Sequence, residues 1–294
     1  MKVNDTRIES LLLATDFSPR SELALDRALK LAEGAADRIG VLHVIDREVS
    51  TALVRGERSE MPPVMDDLLD VRLAPDAPRP AFLIQKGDPF EEIIDAADDR
   101  DDDLIVMGAP RPRRFLESLR GTTLERVIRA STRSVLSVRS QTRGPYKNVL
   151  IATDMSDTSA QAIGTAYRLG LLTETRVTVV HALWHRGRHM VPHSAMTIDV
   201  MQKQIAAEKA GTKKKLRAFL DGIELGALRI ESRVAEGTPQ MVVRDCVAEL
   251  EPDLVVLGTR GRSGVLRFVL GSVAEDLLSW LPVDVLAVPP EEDL

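Results

Sequence analysis

The clearest chemistry in the chain lies in Gly258-Thr259-Arg260-Gly261-Arg262-Ser263-Gly264, followed after Leu270 by Gly271-Ser272-Val273. Glycines let backbone amides approach an anion and point at it, forming a nest. Gly271-Ser272 opens a predicted helix, whose first amides and partial positive charge suit a phosphate. The Ser272 hydroxyl can donate to that phosphate or cap the helix. The loop leaves the apolar strand Leu254-Val255-Val256-Leu257, and open parallel sheets bind ligands at the carboxyl ends of their strands. It is not a Walker loop, because Gly-Lys-Ser/Thr occurs nowhere in the chain. A tight turn before a capped helix is the bland alternative. Spacing, strand-end position and helix start together favour anion binding.

Asp154 falls at the end of another predicted strand, on the same rim. A carboxylate there can accept from ribose hydroxyls, or cap the following helix as Ser156 or Asp157 also could. Ala182, just after His181, flanks the same crevice with backbone groups able to read an adenine edge. His43 and His181 read as satisfied core residues. His181, His185, His189 and His193 recur every four residues, but His181 belongs to a strand and Pro192 interrupts the rest. A polar insertion loop is expected there, not a zinc site.

The elements that position these groups occur twice. Ala14-Thr15-Asp16-Phe17-Ser18 returns 138 residues later as Ala152-Thr153-Asp154-Met155-Ser156. Leu104–Gly108 returns as Leu254–Gly258, and Gly121-Thr122 as Gly271-Ser272, both 150 residues later. The chain is thus a duplication with a 12-residue insertion between His181 and Gly237 of the second copy. Strands are predicted over Ser10–Ala14, Arg38–Ile45, Pro80–Lys86, Leu104–Met107 and Ser134–Val138. Helices are predicted over Ser21–Glu33, Asp88–Ala97 and Thr122–Ala130, and in the second copy over Met196–Asp221. Arg47–Arg79 holds Pro62, Pro63, Pro75 and Pro78, and is expected to be partly irregular.

Strands that are apolar throughout are buried on both faces, and their alternation with helices implies parallel pairing. Each copy therefore reads as a five-stranded doubly wound α/β domain. The domains are placed at 1–141 and 146–294, with the turn-rich Gln141–Pro145 as linker. The last strands, Val135–Val138 and Val285–Val288, are apolar sheet edges that need cover. They are expected to pair with each other as an intramolecular pseudo-dimer, leaving room for a homodimer between chains.

Composition narrows the function classes. The 294 residues carry 39 Lys+Arg against 45 Asp+Glu, a net charge of −6. Residues 1–141 contribute −5 and the remainder −1, so neither half has the positive field of a nucleic-acid binder. No apolar run reaches the roughly 20 residues that span a bilayer, and Met1–Arg7 leads at once into a strand, so no signal peptide is read. The chain is expected to be soluble and cytoplasmic, with no nucleic-acid or membrane partner. Cys246, the one cysteine, reads as a buried small hydrophobe. The run Asp98-Asp99-Arg100-Asp101-Asp102-Asp103 reads as a solvated turn, not a metal site. Lys213-Lys214-Lys215 reads as a solvated helix face.

These residues resemble the universal stress protein family in its tandem two-domain form. The likeness covers nearly the whole chain. It rests on the Ala-Thr-Asp-x-Ser openings, the Leu42-His43-Val44 and Val180-His181-Ala182 strands, the Gly87-Asp88-Pro89 and Gly237-Thr238-Pro239 helix starts, and the glycine loop. The resemblance implies strand order 3-2-1-4-5 in each domain and ATP, with or without magnesium, on the loop. Carried over by position, Ala152, Asp154 and Ala182 meet ribose and adenine. Gly258, Thr259, Arg260, Gly261, Arg262, Ser263 and Gly264, with Gly271, Ser272 and Val273, hold the phosphates.

The first copy departs from this pattern. Arg111 stands where the second glycine should be, and Pro110 and Pro112 lack amide donors. Its loop is read as degenerate; anion binding by Arg111, Arg113 and Arg114 is the alternative. The expected function is a stress-response binding module that holds ATP mainly in the second domain. A slow ATPase or other nucleotide-processing enzyme is the competing reading. No catalytic residue is assigned, because nothing in the loop positions a nucleophile.

Overall fold

The computed structural model describes residues 7–110, 121–184, 198–260 and 270–291, with 198–202 described by backbone alone. The first copy folds as β1 (Leu11–Thr15), α1 (Pro19–Leu31), β2 (Ile39–Asp46), α2 (Thr51–Asp70), β3 (Ala81–Gly87), α3 (Pro89–Asp99), β4 (Leu104–Gly108), α4 (Thr123–Ala130) and β5 (Ser134–Val138). The second repeats it as β6 (Asn148–Ala152), α5 (Asp157–Arg168), β7 (Arg176–Leu183), α6 (Ile198–Asp221), β8 (Ile230–Glu236), α7 (Pro239–Leu250), β9 (Leu254–Gly258), α8 (Ser272–Trp280) and β10 (Asp284–Val288).

The strands form a single ten-stranded sheet in the order β3-β2-β1-β4-β5-β10-β9-β6-β7-β8. Each half is parallel and has the order 3-2-1-4-5. The junction is the β5–β10 pair, which is antiparallel. Leu136 lies opposite Leu286, Val135 opposite Ala287 and Ser137 opposite Val285. Leu136 and Leu286 are equivalent residues of the two copies, so a local two-fold passes between them. The edges expected to need cover thus pair with each other.

Alternate strand residues pack on opposite layers, as a period of two requires. Leu11, Leu13, Leu104 and Val106 of the first domain, with Ile151, Val179 and Val256 of the second, belong to the layer covered by α1, α2, α5 and α6, which contribute Ala24, Leu25, Met65, Ile163 and Leu216. Leu12, Ile105, Val255 and Leu257 face α3, α4, α7 and α8, through Ile93, Val127, Val243 and Leu277.

Two expectations need adjustment. The irregularity expected in Arg47–Arg79 is confined to its two ends, and residues 51–70 between them are a continuous helix despite Pro62 and Pro63. The prolines remove amide donors, but Met65 and Leu69 just beyond them are each 2% exposed and anchor the helix to the sheet. The acidic run is not uniformly solvated either. Asp102 is completely buried and accepts from Arg100 Nε at 2.9 Å, while Asp103 accepts from the Glu9 and Ser10 amides. Among the described residues, no helix is long and apolar enough to cross a membrane.

Candidate nucleotide site

Each first strand ends in the same strained turn. Phe17 and Met155 both take left-handed backbone, at φ 55° and 60°, a conformation that non-glycine residues adopt at a cost. Thr15 Oγ1 accepts from the Phe17 amide, and Thr153 Oγ1 from the Met155 amide. Asp16 Oδ1 accepts from the Ser18 amide at 3.1 Å, and Asp154 Oδ1 from the Ser156 amide at 3.0 Å. Neither aspartate caps the following helix: Ser18 and Ser156 do, accepting from the Ser21 and Ser159 amides. Ser156 Oγ also donates to Asp154 at 2.5 Å. Burial pushes the Asp16 carboxyl up, but hydrogen bonds from Ser18 outweigh it and leave the pKa below its ordinary value.

The histidines are satisfied from the same turns. His43 Nδ1 lies 3.0 Å from Thr15 O, and His181 Nδ1 lies 2.8 Å from Thr153 O. The Thr153 amide donates to Val180 O. Alternate residues of a parallel strand face the same neighbour, so Ala182 turns its backbone to that side, past the end of β6.

In the second copy, Ala152, Asp154, Ala182, Gly258, Thr259, Arg260, Gly271, Ser272 and Val273 all line one crevice of about 630 Å³. It lies where the order of β6 and β9 reverses the chain's direction across the sheet, the place such folds offer a ligand. Val180, Val243, Leu257 and Leu277 form an apolar floor, with Trp184 at the side. Gly258 sits close to its neighbour: a Cβ would come within 3.1 Å of Thr158 Cγ2 and 3.3 Å of Thr158 O, so Thr158 would have to give by a few tenths of an ångström. Thr259 is buried; its amide donates to Val288 O and its carbonyl accepts from the Gly271 amide at 2.8 Å. That bond brings the two ends of the glycine loop together. Gly261, Arg262, Ser263 and Gly264 lie outside the described residues, as do Arg111–Arg114 and His185, His189 and His193.

The first copy keeps a crevice too, of about 460 Å³, lined by Asp16, Arg20, Pro110, Gly121 and Thr122. Its walls are bulkier at equivalent positions. Leu42, Val44, Ile93 and Leu124 stand where the second copy has Val180, Ala182, Val243 and Ala274.

The two helix starts beyond the loops differ in a way that sequence reasoning missed. In the first copy Thr122 closes a capping box. Its hydroxyl accepts from the Glu125 amide at 3.2 Å, and Glu125 Oε2 accepts from the Thr122 amide at 3.0 Å. Those are donors an anion would need, and a carboxylate sits among them. In the second copy the N-cap is Gly271, with no side-chain cap, and Ser272 is already helical. The T-x-x-E and S-x-x-E signatures at 122–125 and 272–275 were the available signal.

A model of the universal stress protein family matches residues 8–139 and again 145–289. The chain belongs to that family. A relative bearing the universal stress protein name, from Staphylococcus haemolyticus, is 28% identical over 150 residues, 50% of this chain and 87% of the relative. Among solved structures, a universal stress protein from Archaeoglobus fulgidus is 21% identical, with 96% of this chain and 98% of that chain covered at a TM-score of 0.63. A protein of unknown function from Pseudomonas aeruginosa is 17% identical, with 97% and 94% covered at a TM-score of 0.67. At these identities the structures establish a shared two-domain fold.

Other expected residues are accounted for. Cys246 is 2% exposed and sits in α7, and burial pushes its thiol pKa up. Among the described residues no cluster of His, Cys, Asp or Glu could hold a metal ion.

Proposed function

We propose that this universal stress protein binds ATP in its second domain and acts as a nucleotide-dependent binding module. The observation that carries the reading is the contrast between two equivalent crevices. One is wide and its helix start has no side-chain cap; the other is narrow and its helix start is capped by its own glutamate. Both volumes lie within the about 300–1,000 Å³ range of small-molecule sites, so the open helix start and the less bulky walls make the choice. The apolar floor of the wider crevice suits a planar base and its far end suits an anion. In this assignment Ala152, Ala182 and the valines receive adenine, and Asp154 accepts from the ribose. Gly258, Thr259, Arg260, Gly271, Ser272 and Val273, together with the loop at 261–264, hold the phosphates. Amides aimed at the phosphates offset their charge without a lysine. Magnesium, if bound, belongs to the phosphates and not to a protein carboxylate cluster.

Occupancy would bridge β6, β9 and α8 and so alter the surface that a partner reads. The test is calorimetric titration of the full chain with ATP, together with mass identification of nucleotide retained through purification. One ATP per chain is expected. Two per chain would overturn the domain assignment, and none would overturn the ligand.

A further inference from the structure

Glu275 occupies the place in the second copy that Glu125 holds in the first, 150 residues on. Glu125 folds back over its own helix start. Glu275 instead accepts from Arg129 Nη2 of the first domain at 2.7 Å. Its amide is bonded to Gly271 O at 2.9 Å, whereas the Glu125 amide is bonded to the Thr122 hydroxyl. The sequence Ser272-Val273-Ala274-Glu275 carries the same box signature as Thr122-Thr123-Leu124-Glu125, and closing it would make Ser272 the N-cap in place of Gly271. It is open in this chain, and the carboxylate that would close it is held across the β5–β10 junction.

The contact exists on one side of the two-fold. The residue equivalent to Arg129 is Ser279, whose hydroxyl donates to Asp276 O at 2.6 Å and is too short to reach across. Arg129 is one-third exposed and Glu275 nearly half. A bridge of that kind adds little stability. Its consequence is a choice between partners of similar strength, because a helix cap is worth about as much.

We infer that Arg129 of the first domain is a positioning residue for the anion site of the second, holding Glu275 away from the start of α8 so that the Ser272 amide and hydroxyl remain available to phosphate. The inference rests on the ATP reading for the identity of the ligand, but not for the state of the helix start. The domain that lacks an open site thereby keeps its neighbour's open.

Four variants test it by two measurements: Arg129→Ala, Arg129→Lys, Glu275→Ala, and Arg129→Ala with Glu275→Ala. The first measurement is hydrogen exchange at the Ser272 amide in nucleotide-free protein. Arg129→Ala should slow it as the box closes, Arg129→Lys should leave it near wild type, and the double variant should restore fast exchange. The second is ATP affinity by calorimetry. Arg129→Ala should bind roughly threefold to tenfold more weakly, Glu275→Ala at least as well as wild type, and the double variant like Glu275→Ala. A purely structural or directly phosphate-attracting Arg129 would leave the double variant as weak as Arg129→Ala, and that result overturns the inference. Unchanged Ser272 exchange in Arg129→Ala overturns it as well. If wild type ignores ATP while Arg129→Ala still slows exchange, the ligand assignment falls and the positioning role stands.

Discussion

Asp284 is the residue whose loss should cost this protein most. It opens β10, is fully buried, and is one carboxylate serving five donors. Oδ2 accepts from Arg27 Nε at 3.2 Å and from the Tyr146 hydroxyl at 2.8 Å. Oδ1 accepts from the Arg139 and Ser140 amides at 2.9 and 3.1 Å and from Ser140 Oγ at 3.0 Å. Arg27, also buried, stacks over the Tyr146 ring at 4.1 Å and donates to Gly144 O at 2.9 Å. One charge pair thus ties α1 of the first domain, the linker and β10 of the second together. Burial, and then the Asp284 charge, hold the Tyr146 phenol well above its ordinary pKa, so it remains a donor. Asp284→Ala leaves a buried guanidinium without its carboxylate, and breaking such a pair costs about 3–5 kcal/mol. With an unfolding slope of about 3 kcal/mol per molar urea, the midpoint should fall by about 1 M or more. The internal control is the opposite side of the two-fold, where Thr165 and Ser134 stand in place of Arg27 and Asp284 and line a common cleft. Arg27→Thr with Asp284→Ser should therefore be less destabilised than Asp284→Ala alone. A cost below about 1 kcal/mol for Asp284→Ala, or a double variant that is simply additive, would refute the assignment of a desolvated charge lock.

Three further outcomes follow from the same geometry. Asp154→Asn should weaken ATP binding by roughly tenfold or more through loss of a charge-assisted acceptor, while Asp16→Asn should leave it nearly unchanged; calorimetry that ranks them the other way would reverse the choice of domain. Burial pushes the Asp88 pKa up, but hydrogen bonds from Arg126 and then Arg47 outweigh it and leave the value below the ordinary 3.8. Asp88 therefore contributes stability above about pH 4 that is lost as pH falls through the depressed value. Asp88→Asn, which preserves the cap on Phe90 N, should unfold at lower urea than wild type at pH 7, and the gap should close below pH 3; a gap independent of pH would show that the arginine pairs contribute nothing. Proteolytic nicking within Gln141–Pro145 should leave the halves associated on gel filtration, because the β5–β10 ladder and the Asp284 bonds to Arg27 survive the cut; separation of the halves would mean that the junction depends on chain continuity.

Much of this fold is legible in the sequence because buried parallel strands have no polar alternation to confuse them. Leu104-Ile105-Val106-Met107, short and apolar throughout, reads as a strand covered on both faces, and the structure covers it so. Helix starts read nearly as well, since Pro89 and Pro239 sit at first helical positions behind Asp88 and Thr238 caps. Local rules failed where a distant group decides. Pro62-Pro63 predicts irregular chain, but Met65 and Leu69 meet a sheet surface that the sequence around them does not announce. Asp102 looks solvated in a run of acids, but Arg100 folds over it. Arg27 and Asp284 are 257 residues apart, and neither is unusual in its own helix or strand.

The site repeats that division. The glycines and the strand-end aspartates are visible because their chemistry is local to a turn, and the crevice brings together every described residue expected of it. What separates the two helix starts is not local. Thr122-Thr123-Leu124-Glu125 and Ser272-Val273-Ala274-Glu275 carry the same capping signature, and from sequence both should close. One closes and the other does not, because a two-fold that relates the copies brings Arg129 to Glu275 but only Ser279 to the opposite place. Duplication supplied two equivalent frames. The junction between them then made equivalent motifs face unequal neighbours, so the chemistry of one domain's helix start depends on a side chain of the other.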